Sequence, residues 1–150
     1  MSSSESAGIR FAALVDAPGI ALLSAQLGYP AEPAEVERYL SRFLGDPDHV
    51  VFVAEVTGGD LCGWVHVFLS RRLFMPPFAE LGGIVVDETF RQLGVGAALL
   101  TRAEAWAAGE ACTLFRIRSN ALRTASHAFY ERMGYTASKS QRIYDKKLFG

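Results

Sequence analysis

Between residues 78 and 106 the hydrophobic pattern changes period. FAELGGIVVD, residues 78–87, is a β-rich run, whereas Val95, Ala98, Leu99, Ala103 and Trp106 recur at the spacing of one helix face until about Gly109. A short loop and two glycines, Gly94 and Gly96, join the two patterns. A strand that feeds a helix returns to its sheet by a crossover, so the chain is predicted to be α/β with some parallel pairing.

The flanking segments supply the rest of the sheet. IRFAAL (9–14) reads as a first strand. Asp16 offers an N-cap to a helix carrying Pro18, Ile20, Leu23 and Leu27, which Gly28 ends. Pro33 opens a second helix with the stripe Val36, Tyr39, Leu40, Phe43 and Leu44, stopped by Gly45. VVFVAEV (50–56) and LCGWVHVFLS (61–70), separated by Gly58-Gly59, read as an antiparallel hairpin. Pro76-Pro77 is predicted to close a loop before residue 78. TLFRIRS (113–119) reads as a strand, and Ala121 to Met133 as a helix with Ala125, Ala128, Phe129 and Met133 inward. The tail from Tyr135 to Leu148 is predicted to form two short strands. The order is β-α-α-β-β-β-α-β-α-β-β, a mixed, mostly antiparallel central sheet flanked by helices. One domain over residues 9–150, after a flexible segment 1–8, is expected for a 150-residue chain.

Composition removes several classes of function. Fifteen Lys and Arg against sixteen Asp and Glu give a net charge of −1, so no basic excess draws the chain to nucleic acid or an anionic membrane. No apolar run approaches the ~20 residues of a membrane helix. The Ser-rich start lacks the basic and apolar regions of a secretory signal, and a cytoplasmic setting with reduced Cys62 and Cys112 is expected. His49, His66 and His127 show no metal-ligand spacing, so no metal is expected. A nucleophilic set of Cys112, His127 and Asn120 is disfavoured, because Cys112 sits in apolar strand-like sequence.

The glycines suit a phosphate. Amides in the first turn of a helix have no partners within it and lie at the positive end of its dipole. The spacing is not that of a Rossmann fingerprint, because Gly94 comes seven residues after Asp87 and the third glycine position holds Leu99. GxxxxGK[ST] is absent. The full pattern, Val85-Val86-Asp87 then Arg91-x-x-Gly94-x-Gly96-Ala97 at a helix start, resembles the acetyl-CoA-binding motif of the GNAT superfamily of N-acetyltransferases. The resemblance extends over nearly the whole chain, including Ser119-Asn120 and the block Phe129-Tyr130-Glu131-x-x-Gly134-Tyr135. It implies that a splayed strand at Ile84, Val85 and Val86 binds the pantetheine arm of acetyl-CoA. It also implies that amides of Leu93, Gly94, Val95, Gly96 and Ala97 hold the pyrophosphate. Arg91 either lies near the phosphates or ties the loop together. Asn120, which also fits a helix N-cap, matches a position that often contacts the CoA arm.

Amide formation from a thioester needs a neutral amine, a stabilised oxyanion and an acid for the departing thiolate. Arg123, His127 and Tyr130 share one helix face by spacing. A tyrosine with a pKa near 10 stays protonated at pH 7 and can donate. By resemblance, Tyr130 stands where the family keeps the tyrosine that protonates the CoA sulfur; otherwise it is a packing aromatic. Glu80 is the candidate base, on the face of Ile84 and Val86 if no bulge intervenes. His127 and His66 are alternatives. Many relatives carry an acidic pair where this chain has Gly82-Gly83.

The expected activity is transfer of an acetyl group to a primary amine of a small molecule or peptide, by direct attack in a ternary complex. The alternative is a non-catalytic acyl-CoA-binding sensor or interaction module of the same fold. Glu32, Glu35 and Glu80 would favour a cationic amine. A homodimer fits the family's habit.

Overall fold

Five strands lie side by side in sequence order: β1 (Gly8–Phe11), β2 (His49–Glu55), β3 (Leu61–Arg72), β4 (Met75–Val86) and β5 (Phe115–Arg116). The first four are antiparallel in succession, and β5 runs parallel to β4. The mixed, mostly antiparallel sheet expected from the sequence is the one observed. The computed structural model describes residues 7–91, 93–119 and 124–150. Helices α1 (Ala17–Gln26) and α2 (Pro33–Leu44) follow β1, α3 (Val95–Gly109) links β4 to β5, and α4 (Thr124–Arg132) follows β5. The described residues form two compact units, one through Ile117 and one from Arg118.

In the first unit, alternation along the strands feeds two cores. Val50, Phe52 and Ala54 of β2 and Val65, Val67 and Leu69 of β3 pack on Val95, Leu99, Ala103 and Ala107, four residues apart along α3. On the other face Val51, Val53 and Trp64 meet Ile20 of α1 with Val36 and Leu40 of α2. The α3 stripe is shifted from the predicted one: Ala98 is exposed and Leu100 is buried. The α2 stripe is narrower than predicted, with Tyr39 and Leu44 exposed. Gly58 and Gly59 close the β2–β3 hairpin with positive φ, as their spacing predicted.

Pro76-Pro77 lies inside β4 rather than in a loop. Arg72 faces Met75 and Ser70 faces Phe78, so the two prolines oppose Arg71 alone, where the ladder is interrupted and no N–H is needed.

Asp16 does not cap α1 with its side chain. Its carboxylate turns back to accept from the Ala13 N–H at 2.7 Å and, in a two-pronged pair, from Arg10 Nη1 and Nη2 at 2.8 Å. Arg10 also donates through Nε to Glu55 at 2.8 Å, tying β1 to β2 and to the start of α1. Asp16 is buried, and the Arg10 guanidinium holds its carboxyl below the usual carboxylate range. Because the folded value lies below the unfolded one, this stabilisation is present above the ordinary carboxylate pKa and is lost as pH falls through the folded value. Asp16→Asn is expected to cost about 1–3 kcal/mol at pH 7, since it weakens a charge-assisted pair and leaves Arg10 poorly matched. Urea titrations should show the gap between wild type and variant closing toward pH 3.

The second unit contains α4, which ends in a Schellman turn. The Tyr135 N–H donates to the Tyr130 carbonyl and the left-handed Gly134 N–H to the Glu131 carbonyl, both at 3.0 Å. Ala125 and Ala128, predicted to face inward, are exposed, while Phe129 and Met133 are half-buried. No strand forms among residues 135–150, against the two predicted there. Ile143, Tyr144 and Leu148 are largely exposed, and β character without a ladder partner does not make a strand.

Candidate active site

Strand β4 leaves half of one edge open. Its parallel ladder with β5 covers only Ala79–Phe115 and Glu80–Arg116, although TLFRIRS predicts a longer strand. The cause lies in β4. His66 faces Gly83 but Val67 faces Leu81, so Gly82 is an extra residue, and a bulge bends and twists the strand that carries it. Beyond the bulge β4 continues to Val86 with β3 on one side, and no described strand pairs with the other. The Asp87 N–H donates to the Cys62 carbonyl on β3 at 2.8 Å. By antiparallel alternation the backbone groups of Ile84 and Val86 therefore point to the open edge, and those of Val85 point to β3. Two of the three residues expected to meet an extended ligand thus offer it their main chain.

That edge runs directly into the glycine loop. Asp87 caps the turn after β4, accepting from Thr89 N–H at 2.9 Å and Thr89 Oγ1 at 2.8 Å. Gln26, the last residue of α1, donates to Asp87 Oδ2 at 3.1 Å and accepts from the Glu88 N–H at 3.3 Å. Sequence reading missed this clamp, because no local pattern links residues sixty-one apart. Arg91 Nε reaches the Val86 carbonyl at 3.4 Å, so Arg91 ties the loop to the strand end. Gly94 caps α3 with φ +84°, a left-handed conformation that glycine adopts without a Cβ clash. The first helical bond is from Ala98 N–H to the Gly94 carbonyl, which leaves the amides of Val95, Gly96 and Ala97 without acceptors in the helix. Leu93 stands apart from the helix start, because its N–H closes onto the Phe90 carbonyl at 3.3 Å.

The bulge also moves Glu80. Cross-strand partners share a face, so Glu80, opposite Phe68, lies with Gly83, Val85, His66 and Trp64. Ile84 and Val86 lie on the opposite face with Val65 and Gly63, which reverses the placement that uninterrupted alternation predicts. Glu80 is buried on the side of α1 and α2. The same geometry accounts for Gly82-Gly83. A Cβ on Gly82 would come within 2.4 Å of His66 Nδ1, and one on Gly83 within 2.9 Å of the Trp64 ring. Two β3 side chains fill the space where residues with side chains would project.

His66 belongs to a stacked group that sequence spacing did not reveal. Phe43 of α2 stacks on His49 and His66 with ring centres 4.4 and 4.5 Å apart. The imidazoles share a hydrogen bond of 3.0 Å between His49 Nδ1 and His66 Nε2. Burial, and then the neighbouring His49, push the His66 pKa down to about 4, so the ring is neutral at pH 7. Cys62 and Cys112 are free thiols whose pKa values are raised, chiefly by burial. A raised thiol is a poor nucleophile at pH 7. No group of three His, Cys, Asp or Glu able to hold a metal occurs among the described residues.

In the second unit Tyr130 is half-buried on α4, with its ring 5.4 Å from Phe129 and edge-on to Tyr135 at 6.2 Å. The Schellman turn therefore fixes the tyrosine at the helix end. Asn120 and Arg123 lie outside the described residues.

Residues 19–135 match the acetyltransferase (GNAT) family. An aminoglycoside N(6')-acetyltransferase type 1 of Klebsiella aerogenes is 28% identical over 118 residues, 77% of this chain and 77% of that one. The crystal structure of an aminoglycoside 6'-N-acetyltransferase of Acinetobacter haemolyticus superposes with a TM-score of 0.81 at 20% identity, over 95% of this chain and 99% of the other. AAC(6')-Iy in complex with the bisubstrate analogue CoA-S-monomethyl-acetylneamine also gives 0.81 at 20% identity, over 94% and 98% of the two chains.

Proposed function

The chain belongs to the acetyltransferase (GNAT) family, and from that premise we propose that it moves the acetyl group of acetyl-CoA to a primary amine of a small molecule or peptide. The observation that carries this reading is the continuity of the open β4 edge with the first-turn amides of α3, which have no acceptor within the helix. An extended, amide-rich pantetheine arm suits a strand edge, and a pyrophosphate suits the helix start that follows it. Ile84 and Val86 take the arm, and Gly94, Val95, Gly96 and Ala97 take the pyrophosphate. Arg91 holds the loop shape, Leu93 contributes mainly by position, and Asn120 contacts the arm. The aminoglycoside acetyltransferase among the relatives supports a small polyamine as one acceptor class.

The amine attacks the thioester directly in a ternary complex, in keeping with the raised thiols of Cys62 and Cys112. Glu80 accepts the amine's proton and Tyr130 returns one to the departing CoA sulfur. No metal takes part in this scheme, and a cytoplasmic setting belongs to the same reading. A panel of amines scored by free-thiol release from acetyl-CoA tests the reading. Release on adding an amine supports it, and tight acetyl-CoA binding without release by any amine favours the sensor.

Glu80→Gln is expected to lower kcat/KM for the amine at least about tenfold at neutral pH, with the acid limb of the profile flattened. Amines with a pKa near 10 are mostly protonated at pH 7, so removal of their proton limits attack. An unchanged pH profile would take the role away from Glu80.

A further inference from the structure

The geometry points to a proton exit path from the active-site face of the sheet, formed by His66, His49 and Asp46 in series. The inference rests on the proposed transfer reaction, which releases one proton per acetylated ammonium. His66 Nδ1 points at Gly82, the bulge residue of β4 beside the open edge. Its other nitrogen, Nε2, meets His49 Nδ1 at 3.0 Å. His49 Nε2 then faces Asp46 Oδ2 at 3.9 Å. Asp46 is exposed, and both it and His49 line a hollow of about 500 Å³ open to solvent. The path therefore begins within the sheet and ends at water. Phe43, stacked on both rings, and Phe68, 5.7 and 5.8 Å from them, hold the imidazoles in line.

The groups that face His66 come from several elements. From β4, Glu80 lies on the face of His66, one row along, because Phe68 stands between His49 and Glu80 in register. From β2 comes His49, from α2 the Phe43 ring, and from the turn before β2 comes Asp46. The nearby Asp48 is engaged by Arg71 at 2.9 and 3.0 Å. His66 is neutral at pH 7, so it offers one N–H and one lone pair at once.

In the resting state His66 carries its proton on Nε2 and donates it to His49 Nδ1, and His49 carries its own on Nε2. A proton released from the amine, at Glu80 or at the ring itself, binds His66 Nδ1. The Nε2 proton of His66 moves to His49 Nδ1, and the Nε2 proton of His49 leaves to Asp46 or to water. One proton enters and one departs, and neither ring holds a net charge afterwards. Once product has left, the shift reverses: His66 Nδ1 gives its proton to the entering water and His49 Nε2 takes one from bulk water. The path thus carries the proton away while the site is occupied, and the amine's proton finally leaves with the water that refills it.

The test uses the full chain, acetyl-CoA and an amine from the panel. His49→Phe keeps the stack but cannot pass a proton, and His66→Gln breaks the path at its entrance. Both are expected to lower kcat about tenfold at pH 7, with KM for acetyl-CoA unchanged and the loss shrinking as pH rises and more amine is already neutral. A loss equal at every pH marks a packing role and overturns the path, as does wild-type kcat in both variants. Nitrogen-15 NMR of the wild-type histidines reads the path without turnover, and one proton shared between His66 Nε2 and His49 Nδ1 is expected. A His66 ring protonated on Nδ1 at rest overturns it. If the wild type acetylates no amine, the transfer reading fails by itself, and the tautomer measurement still decides the path.

Discussion

Gly96→Asp is expected to weaken acetyl-CoA binding by about 10²-fold or more while leaving the fold intact. Gly96 stands in the first turn of α3, one residue after Val95, among the amides without helical acceptors. A carboxylate there faces the pyrophosphate with like charge, which costs several kcal/mol where water is displaced. It also cancels the positive end of the helix dipole that makes the position attractive to phosphate. The same dipole argument predicts that the free protein is not harmed, because an acidic residue in a first turn is mildly stabilising. Affinity and stability should thus move independently. Calorimetry gives the first quantity and thermal unfolding the second. An unchanged affinity in folded variant protein would remove the glycine loop from the cofactor site.

The features legible in the sequence are those with local causes. The Gly58-Gly59 hairpin, the α3 stripe through Val95, Leu99 and Ala103, and Gly94 at the helix head each follow from neighbouring residues. Arrangements set by tertiary partners were not legible. Pro76-Pro77 looks like a loop until β3 pairs on both sides of it and the prolines are taken up as a bulge in β4 opposite Arg71. Asp16 looks like an N-cap until Arg10 claims its carboxylate. The tail from Tyr135 has strand-like residues but no ladder among the described residues. For the candidate site the decisive case is Gly82. One extra residue carries Glu80 to the opposite face from Ile84, and the β-period cannot announce it.

Gly82-Gly83, where the resemblance implies an acidic pair, fits the β3 side chains opposite it. His66 and Trp64 of β3 take the volume that side chains at 82 and 83 would need. An acidic side chain at 82 would collide with His66 Nδ1 unless the ring moved, so glycine at 82 and histidine at 66 fit one another sterically. The two glycines and the two β3 aromatic rings fit together as one unit, visible in the sequence only as separate oddities.

Tyr130→Phe is expected to lower kcat by about 10²–10⁴ with little change in KM for acetyl-CoA, provided thiolate departure limits turnover. The substitution removes one hydroxyl and keeps the ring, so the edge-on contact with Tyr135 and the Schellman turn at Gly134 survive. That matters for interpretation, because a fault at the helix end would lower stability and activity together. Here the turn is made by main-chain bonds from Tyr135 and Gly134, which do not involve the phenol. A selective loss of kcat therefore reports the hydroxyl's own chemistry. The pH profile adds a second readout, since a general acid with a phenolic pKa shapes the basic limb and its removal should displace that limb. Substituting a CoA analogue with a more acidic leaving thiol should rescue the variant in part, because such a thiolate departs without needing a proton. Wild-type kcat in Tyr130→Phe at every pH, measured on a verified amine, would return the residue to its packing role. Water would then supply the proton to the CoA sulfur.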